Sequence, residues 1–292
     1  MSLDRLSRRA LRIAAIAAVA FGVWFSARGI APKELLHALG AADLLYVAVG
    51  TLPLLVLGSL LRTARYGALL PTSSGEHGFW DLWSAVVLSG AANNVLPLRA
   101  GELVRTRETM ARGLPLAQVA FAQVTEKLVE AATLVVCSVP VLLAYATPGH
   151  PVRLVSIVTA VLVVGVTVAL RLDRRDLLRA VARSSCWSFA ADAVELAIIA
   201  VCLRSLGLPC GLVTSIAVYA AVNLAIALPS TPGNVGAFEA GAALPLIALG
   251  VSRDAAVAFA CVYRVVQWLP LSAVGLAVWA RQSRLVAVGE PS

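Results

Sequence analysis

The 292-residue chain is 60% hydrophobic and only 14% charged, with a mean hydropathy of +0.86, whereas soluble domains carry about 45–50% apolar and ~25% charged residues. A water-soluble globule, a disordered chain and a cysteine-stapled scaffold are excluded. The apolar stretches of roughly 20 residues also suit helices, not the ~10-residue alternation of outer-membrane strands. The net charge of +8 comes from arginines set between apolar segments, which points away from nucleic acid.

In chain order, the predicted membrane spans are Ala10 to Ala27, Leu44 to Arg65, Gln118 to Ala146, Val152 to Leu170, Cys186 to Arg204 and Ala255 to Ala280. The first follows Arg5, Arg8, Arg9 and Arg12, as a signal peptide would. No small-residue cleavage site precedes Arg28, so it is read as a span. Leu82 to Pro97 and Leu212 to Pro229 differ from the rest. Each runs into a loop bearing Pro and Gly, after which a short second helix resumes. Backbone interrupted at membrane depth is tolerated only where protein or a water-filled cavity satisfies the freed polar groups, so both are predicted to be re-entrant hairpins. The expected fold is an all-α polytopic membrane protein with about six transmembrane helices and two hairpins.

With a cytoplasmic N-terminus, most of the 24 basic residues fall on the inner side, and Arg28, Lys33, Arg153, Arg204 and Arg253 on the outer. Both termini are then cytoplasmic, in a cytoplasmic membrane. Residues 171–183 interleave arginine with leucine and valine and read either as a short helix on the inner leaflet or as a solvated loop helix. The cysteines (Cys137, Cys186, Cys202, Cys210 and Cys261) lack metal-like spacing and are read as packing residues. His37, His77 and His150 lie in loops without a second ligand, so neither metal nor cofactor is expected.

Residues 119–124 read VAFAQV and residues 257–262 read VAFACV. Upstream of each copy stand an Asn-bearing apolar run, a Leu-Pro pair, a loop and a glutamate, Glu102 in one and Glu239 in the other. The alignment sets Glu126 opposite Arg264. Three crossings per unit require the second copy to be inverted, giving a first repeat over 1–147 and a second over 148–292 within a single membrane domain. Such repeats are found in secondary transporters, whose sites lie between the copies near the midplane.

Charges inside the spans mark the candidate pathway. Glu126 and Glu130 share a helix face, with Lys127 beside them; Asp192 and Glu195 share another, and Arg264 sits within the last span. Each charge at the bilayer centre costs about 2.5–3.5 kcal/mol on insertion scales, so the set must face an interior. It forms either a buried salt-bridge network or a polar pathway. Because four carboxylates face two bases here, the pathway reading expects shared protons or a bound cation. Arg99, Arg105 and Arg107 read as positive-inside anchors, with Arg105 an equal candidate for a lipid-phosphate ligand.

Residues 93–107 (NNVLPLRAGELVRTR) and 228–239 (LPSTPGNVGAFE) resemble the transmembrane region of the lysylphosphatidylglycerol synthase family. Asn94, Pro97, Gly101, Glu102 and Arg105 match the first family motif. Pro229, Thr231, Pro232, Gly233, Gly236 and Glu239 match the second, and Glu126-Lys127 matches a family-like pair. The resemblance implies kinship with the flippase half of the multiple peptide resistance factor and with membrane proteins fused to or associated with glycosyltransferases. Its synthase members carry a soluble aminoacyl-transfer domain that is not expected in this chain, so the protein is not expected to be an enzyme.

The sequence thus predicts a translocator whose partner is a membrane lipid: a phospholipid, an aminoacyl-phospholipid or a polyprenyl-phosphate-linked sugar. Rival readings are a membrane enzyme using Glu102 or Glu126 as base, and an accessory subunit recruiting a cytoplasmic transferase through residues 171–183. No phosphate-binding G-x-x-x-x-G-K-[ST] loop is present, so a gradient would have to drive transport.

Overall fold

A computed structural model describes residues 40, 42–71, 78–96, 100–145, 175–227 and 232–288. The predicted spans Ala10 to Ala27 and Val152 to Leu170, the histidines, the repeat boundary and Pro97, Arg99, Pro229 and Thr231 lie outside them. The described residues are helical and contain no strand: α1 (Leu44–Gly67), α2 (Phe79–Asn93), α3 (Gly101–Met110), α4 (Leu116–Tyr145), α5 (Arg175–Ser205), α6 (Leu212–Ala227), α7 (Ala237–Ala248) and α8 (Arg253–Val288). α1, α5 and α8 are long and apolar enough to cross a membrane. The 30 residues of α4 extend about 45 Å at 1.5 Å per residue, beyond a ~30 Å hydrocarbon core.

The helices between them are shorter. α2 has 15 residues, α3 has 10, α6 has 16 and α7 has 12, lengths of about 15–24 Å that fall short of the bilayer core. Each pair folds back as a hairpin. In the second, a Cβ on Gly241 of α7 would lie 2.9 Å from Ala221 O and Val222 Cα of α6, so the two backbones approach closely because no side chain intervenes. In the first, the Gly101 N–H donates to Asn93 Oδ1 at 2.8 Å, joining the end of α2 to the start of α3.

The order of long helix, hairpin and long helix therefore occurs twice, in α1–α4 and in α5–α8. α1 and α5 pack face to face. A Cβ on Gly50 would meet Val201 at 2.9 Å and one on Gly58 would meet Val194 at 3.6 Å, and this pairing order makes the helices antiparallel. Small residues permit such approach in lipid, where packing replaces the hydrophobic effect as the associating force. The hairpins cross over: α2 lies along α8 and α6 along α4.

The surface is apolar where lipid would lie. Leu45, Val49, Leu52 and Val56 form an exposed stripe on α1, and Phe121, Val124 and Leu128 another on α4. On that same α4, Glu126 is 1% exposed. A helix with apolar side chains outward and carboxylate inward suits lipid as solvent, because only the interior can partner the charge.

One expectation is corrected. The segment 171–183, read either as a short helix on the inner leaflet or as a solvated loop helix, is from Arg175 onward neither of these but the start of α5, a single 31-residue helix. No helix breaker separates Arg183 from the span, and Ala180 and Val181 pack against the cluster around Tyr66, Leu69 and Leu82.

Candidate functional site

The hairpins and the long helices enclose a cavity of about 290 Å³. Its lining includes the carboxylates Glu102, Glu126, Glu130, Asp192 and Glu195 and the cations Arg62, Arg65, Arg105, Lys127 and Arg264. Asn94 and Gly233 of the hairpin loops also reach it. The predicted excess of carboxylates over bases is thereby corrected, because arginines of α1 and α3 supply the balancing charge.

Glu126 organises the first half of the site. Its Oε1 accepts from Arg65 Nε at 3.1 Å and its Oε2 lies 2.8 Å from Arg105 Nη1, so one carboxylate ties α1 and α3 to α4. Arg65 and Arg105 are each 5% exposed. The Arg105 guanidinium also lies over the Tyr66 ring at 4.5 Å and donates to Glu102 Oε2 at 2.7 Å. Lys127 links Glu130 at 2.9 Å to Glu102 at 3.5 Å on the more open side.

Arg107 is exposed, whereas Arg105, read equally as an anchor or a lipid-phosphate ligand, is buried together with Arg65 against Glu126. Arg65 stands at the end of an apolar span, where the positive-inside rule accounts for any arginine, and its spacing of three from Arg62 was the signal available. Tyr219, Tyr263 and Gln267 were likewise missed, since they read as filler within apolar helices.

Glu195 gathers the second polar cluster. It receives Arg62 Nη2 at 2.9 Å and the Tyr263 hydroxyl at 2.6 Å, with Gln267 Nε2 on the same oxygen as Tyr263. One turn earlier on α5, Asp192 accepts the Tyr219 hydroxyl at 2.7 Å. At the second hairpin, Arg264 Nη2 donates to Gly233 O at 2.6 Å, its Nη1 lies 3.5 Å from Glu239, and its guanidinium faces the Phe238 ring at 5.1 Å.

The hairpin tips need unusual backbone. Gly233, Asn234 and Gly236 adopt φ of 64°, 54° and 85°, a region open to glycine and tolerated by asparagine. Pro232 opens the short 3-10 turn that carries them. At the other tip, Asn94 Nδ2 donates to Ser272 Oγ at 2.9 Å and Trp268 Nε1 donates to Asn94 O at 3.2 Å, pinning the end of α2 to α8. Helix N-termini aimed at a cavity can bind anions, but here one N–H at each tip is already engaged by a side chain. Gly101 N donates to Asn93, and Gly236 N to Glu239 Oε2 at 2.6 Å. The side-chain cations are therefore the better anion ligands.

The chain matches the family model described as the lysylphosphatidylglycerol synthase TM region, over residues 12–183 and 168–275. It belongs to that family. The lysylphosphatidylglycerol synthase TM region thus spans nearly the whole chain, including both hairpins and every charged residue of the cavity. A comparison with curated proteins finds no match.

Proposed function

We propose that this member of the family is a lipid translocator of the cytoplasmic membrane, with both termini on the cytoplasmic side. A polar head group passes through the cavity while its tails remain in lipid. One observation carries the reading: a cavity lined by five carboxylates and five cations lies between two hairpins of short helices, inside helices whose outer faces are apolar. Its volume of about 290 Å³ is near the lower end of small-molecule sites, which suits a head group without its chains. Balanced charge suits a head group bearing both signs. A phosphate would engage Arg105, Lys127 or Arg264, and an ammonium Glu102 or Glu130.

The family's name keeps an aminoacyl-phospholipid among the candidates, beside ordinary phospholipids and polyprenyl-phosphate sugars. The antiparallel α1 and α5 support an inverted arrangement of the two halves, so that one hairpin would enter from each side of the membrane. The reading assigns no catalytic residue.

The test is head-group scrambling in proteoliposomes with fluorescent phospholipids, a lysyl-lipid and a polyprenyl-phosphate sugar, comparing wild type with Glu126→Gln and Arg264→Ala. The expected result is rapid movement of one lipid class that either folded variant slows. Immobility of every lipid with folded wild type would sink the reading.

A further inference from the structure

Every other carboxylate around the cavity has a cation within ion-pair distance. Glu126 holds Arg65 and Arg105; Glu102 and Glu130 hold Lys127; Glu195 holds Arg62; Glu239 holds Arg264. Asp192 is the exception among the described residues. It is 4% exposed, it lines the cavity, and its contacts are the Tyr219 hydroxyl on Oδ1 and Cys137 Sγ at 4.0 Å from Oδ2, with the Thr133 hydroxyl nearby. A carboxylate removed from water without a counter-charge is expensive, and the usual resolution is to take up a proton.

The other groups facing Asp192 leave room for little else. On α4, Glu130 is engaged by Lys127, and the Thr133 and Ser188 hydroxyls share a 2.9 Å hydrogen bond. On α1, Arg65 is committed to Glu126 and Glu130 and forms no ion pair with Asp192. On α6, Tyr219 spends its proton on Oδ1. On α5 itself, Glu195 is saturated by Arg62, Tyr263 and Gln267. A sodium ion would need several free oxygen ligands, whereas a proton needs only Oδ2.

We infer that Asp192 is the proton-binding site that couples transport to a proton gradient, a role distinct from contact with the head group. Hydronium in the cavity protonates Oδ2 and leaves water; when the cavity reopens to the other side, that proton returns to water and the carboxylate reforms. Tyr219 is a positioning residue that holds Oδ1 and leaves Oδ2 as the exchanging atom.

This inference rests on the translocator reading, and two measurements separate their failures. In proteoliposomes with fluorescent phospholipid, a one-unit pH gradient should produce up to about tenfold transbilayer asymmetry if one proton moves per lipid. Asp192→Asn should lose that asymmetry and the pH dependence of whatever exchange it retains, and Tyr219→Phe should displace the pH profile without abolishing it. Asymmetry that persists in Asp192→Asn, or that follows a sodium gradient instead, overturns the inference.

The second measurement needs no substrate: infrared difference spectra of the full chain in nanodiscs during acid titration. A protonated-carboxyl band that is lost in Asp192→Asn supports the site even if no lipid moves, in which case the translocator reading alone falls. If the Asp192→Asn spectrum matches wild type, the proton site falls.

Discussion

The two hairpins are held by charges of opposite sign at aligned positions. In the first half, Glu126 of the closing helix α4 grips Arg105 of the hairpin and also Arg65 of α1. In the second, Arg264 of α8 grips a backbone carbonyl, Gly233 O, and stands near Glu239. The first anchor is a three-helix knot of nearly buried charge; the second is a clasp on a turn. The same scaffold position therefore serves two mechanical ends, and the difference predicts that the first hairpin is the firmer of the two.

The largest effect is expected from removing the carboxylate of the knot. Glu126→Gln leaves two buried guanidiniums short of a counter-charge and should destabilise the protein by about 3–5 kcal/mol, read as a lowered thermal midpoint in detergent. Adding Arg65→Gln to Glu126→Gln should recover part of that loss, because one stranded charge is gone. If the single variant is as stable as wild type, the knot is not what holds α3.

Next comes the clasp. Arg264→Ala removes a charged hydrogen bond to a carbonyl and should cost about 1.5–3 kcal/mol, less than Glu126→Gln, with faster proteolysis around residues 232–236 than at the first hairpin. An Arg264→Ala penalty larger than that of Glu126→Gln would reverse the comparison. The smallest effect is expected at Lys127, whose side chain is 41% exposed while pairing with Glu130 and Glu102. Lys127→Gln should change stability by about 0–1 kcal/mol in the same assay, the range of exposed ion pairs.

Local pattern carried much of this architecture. The prolines and glycines near residues 97–101 and 229–236 marked both hairpins, because only interrupted backbone needs them at membrane depth. Glu126, Lys127, Glu130, Asp192, Glu195 and Arg264 were readable as a site because charge within apolar helices has nowhere else to go, and Glu102 and Arg105 through the motif they share with the family; the cavity gathers them all. Glu239 stands behind its rim as partner to Arg264.

What was hidden is who pairs with whom. Arg65 meets Glu126 across 61 residues, and helical periodicity reports only which face a residue occupies, not which helix it meets. Residues 175–183 show the opposite failure. Their charges imitate an interfacial helix, while the continuity of α5 and the packing of Ala180 and Val181 decide the geometry.

The Arg65–Glu126 contact also bears on how the protein is made. A helix bearing Glu126, Lys127 and Glu130 cannot partition into lipid alone cheaply, at about 2.5–3.5 kcal/mol for each charge near the bilayer centre. Its partner lies earlier in the chain, on α1, whose apolar stripe lets it enter lipid first. During synthesis, α1 with Arg65 in place is then a receptor for α4, and biogenesis acquires an order: the arginine helix is seated before the glutamate helix leaves the insertion machinery.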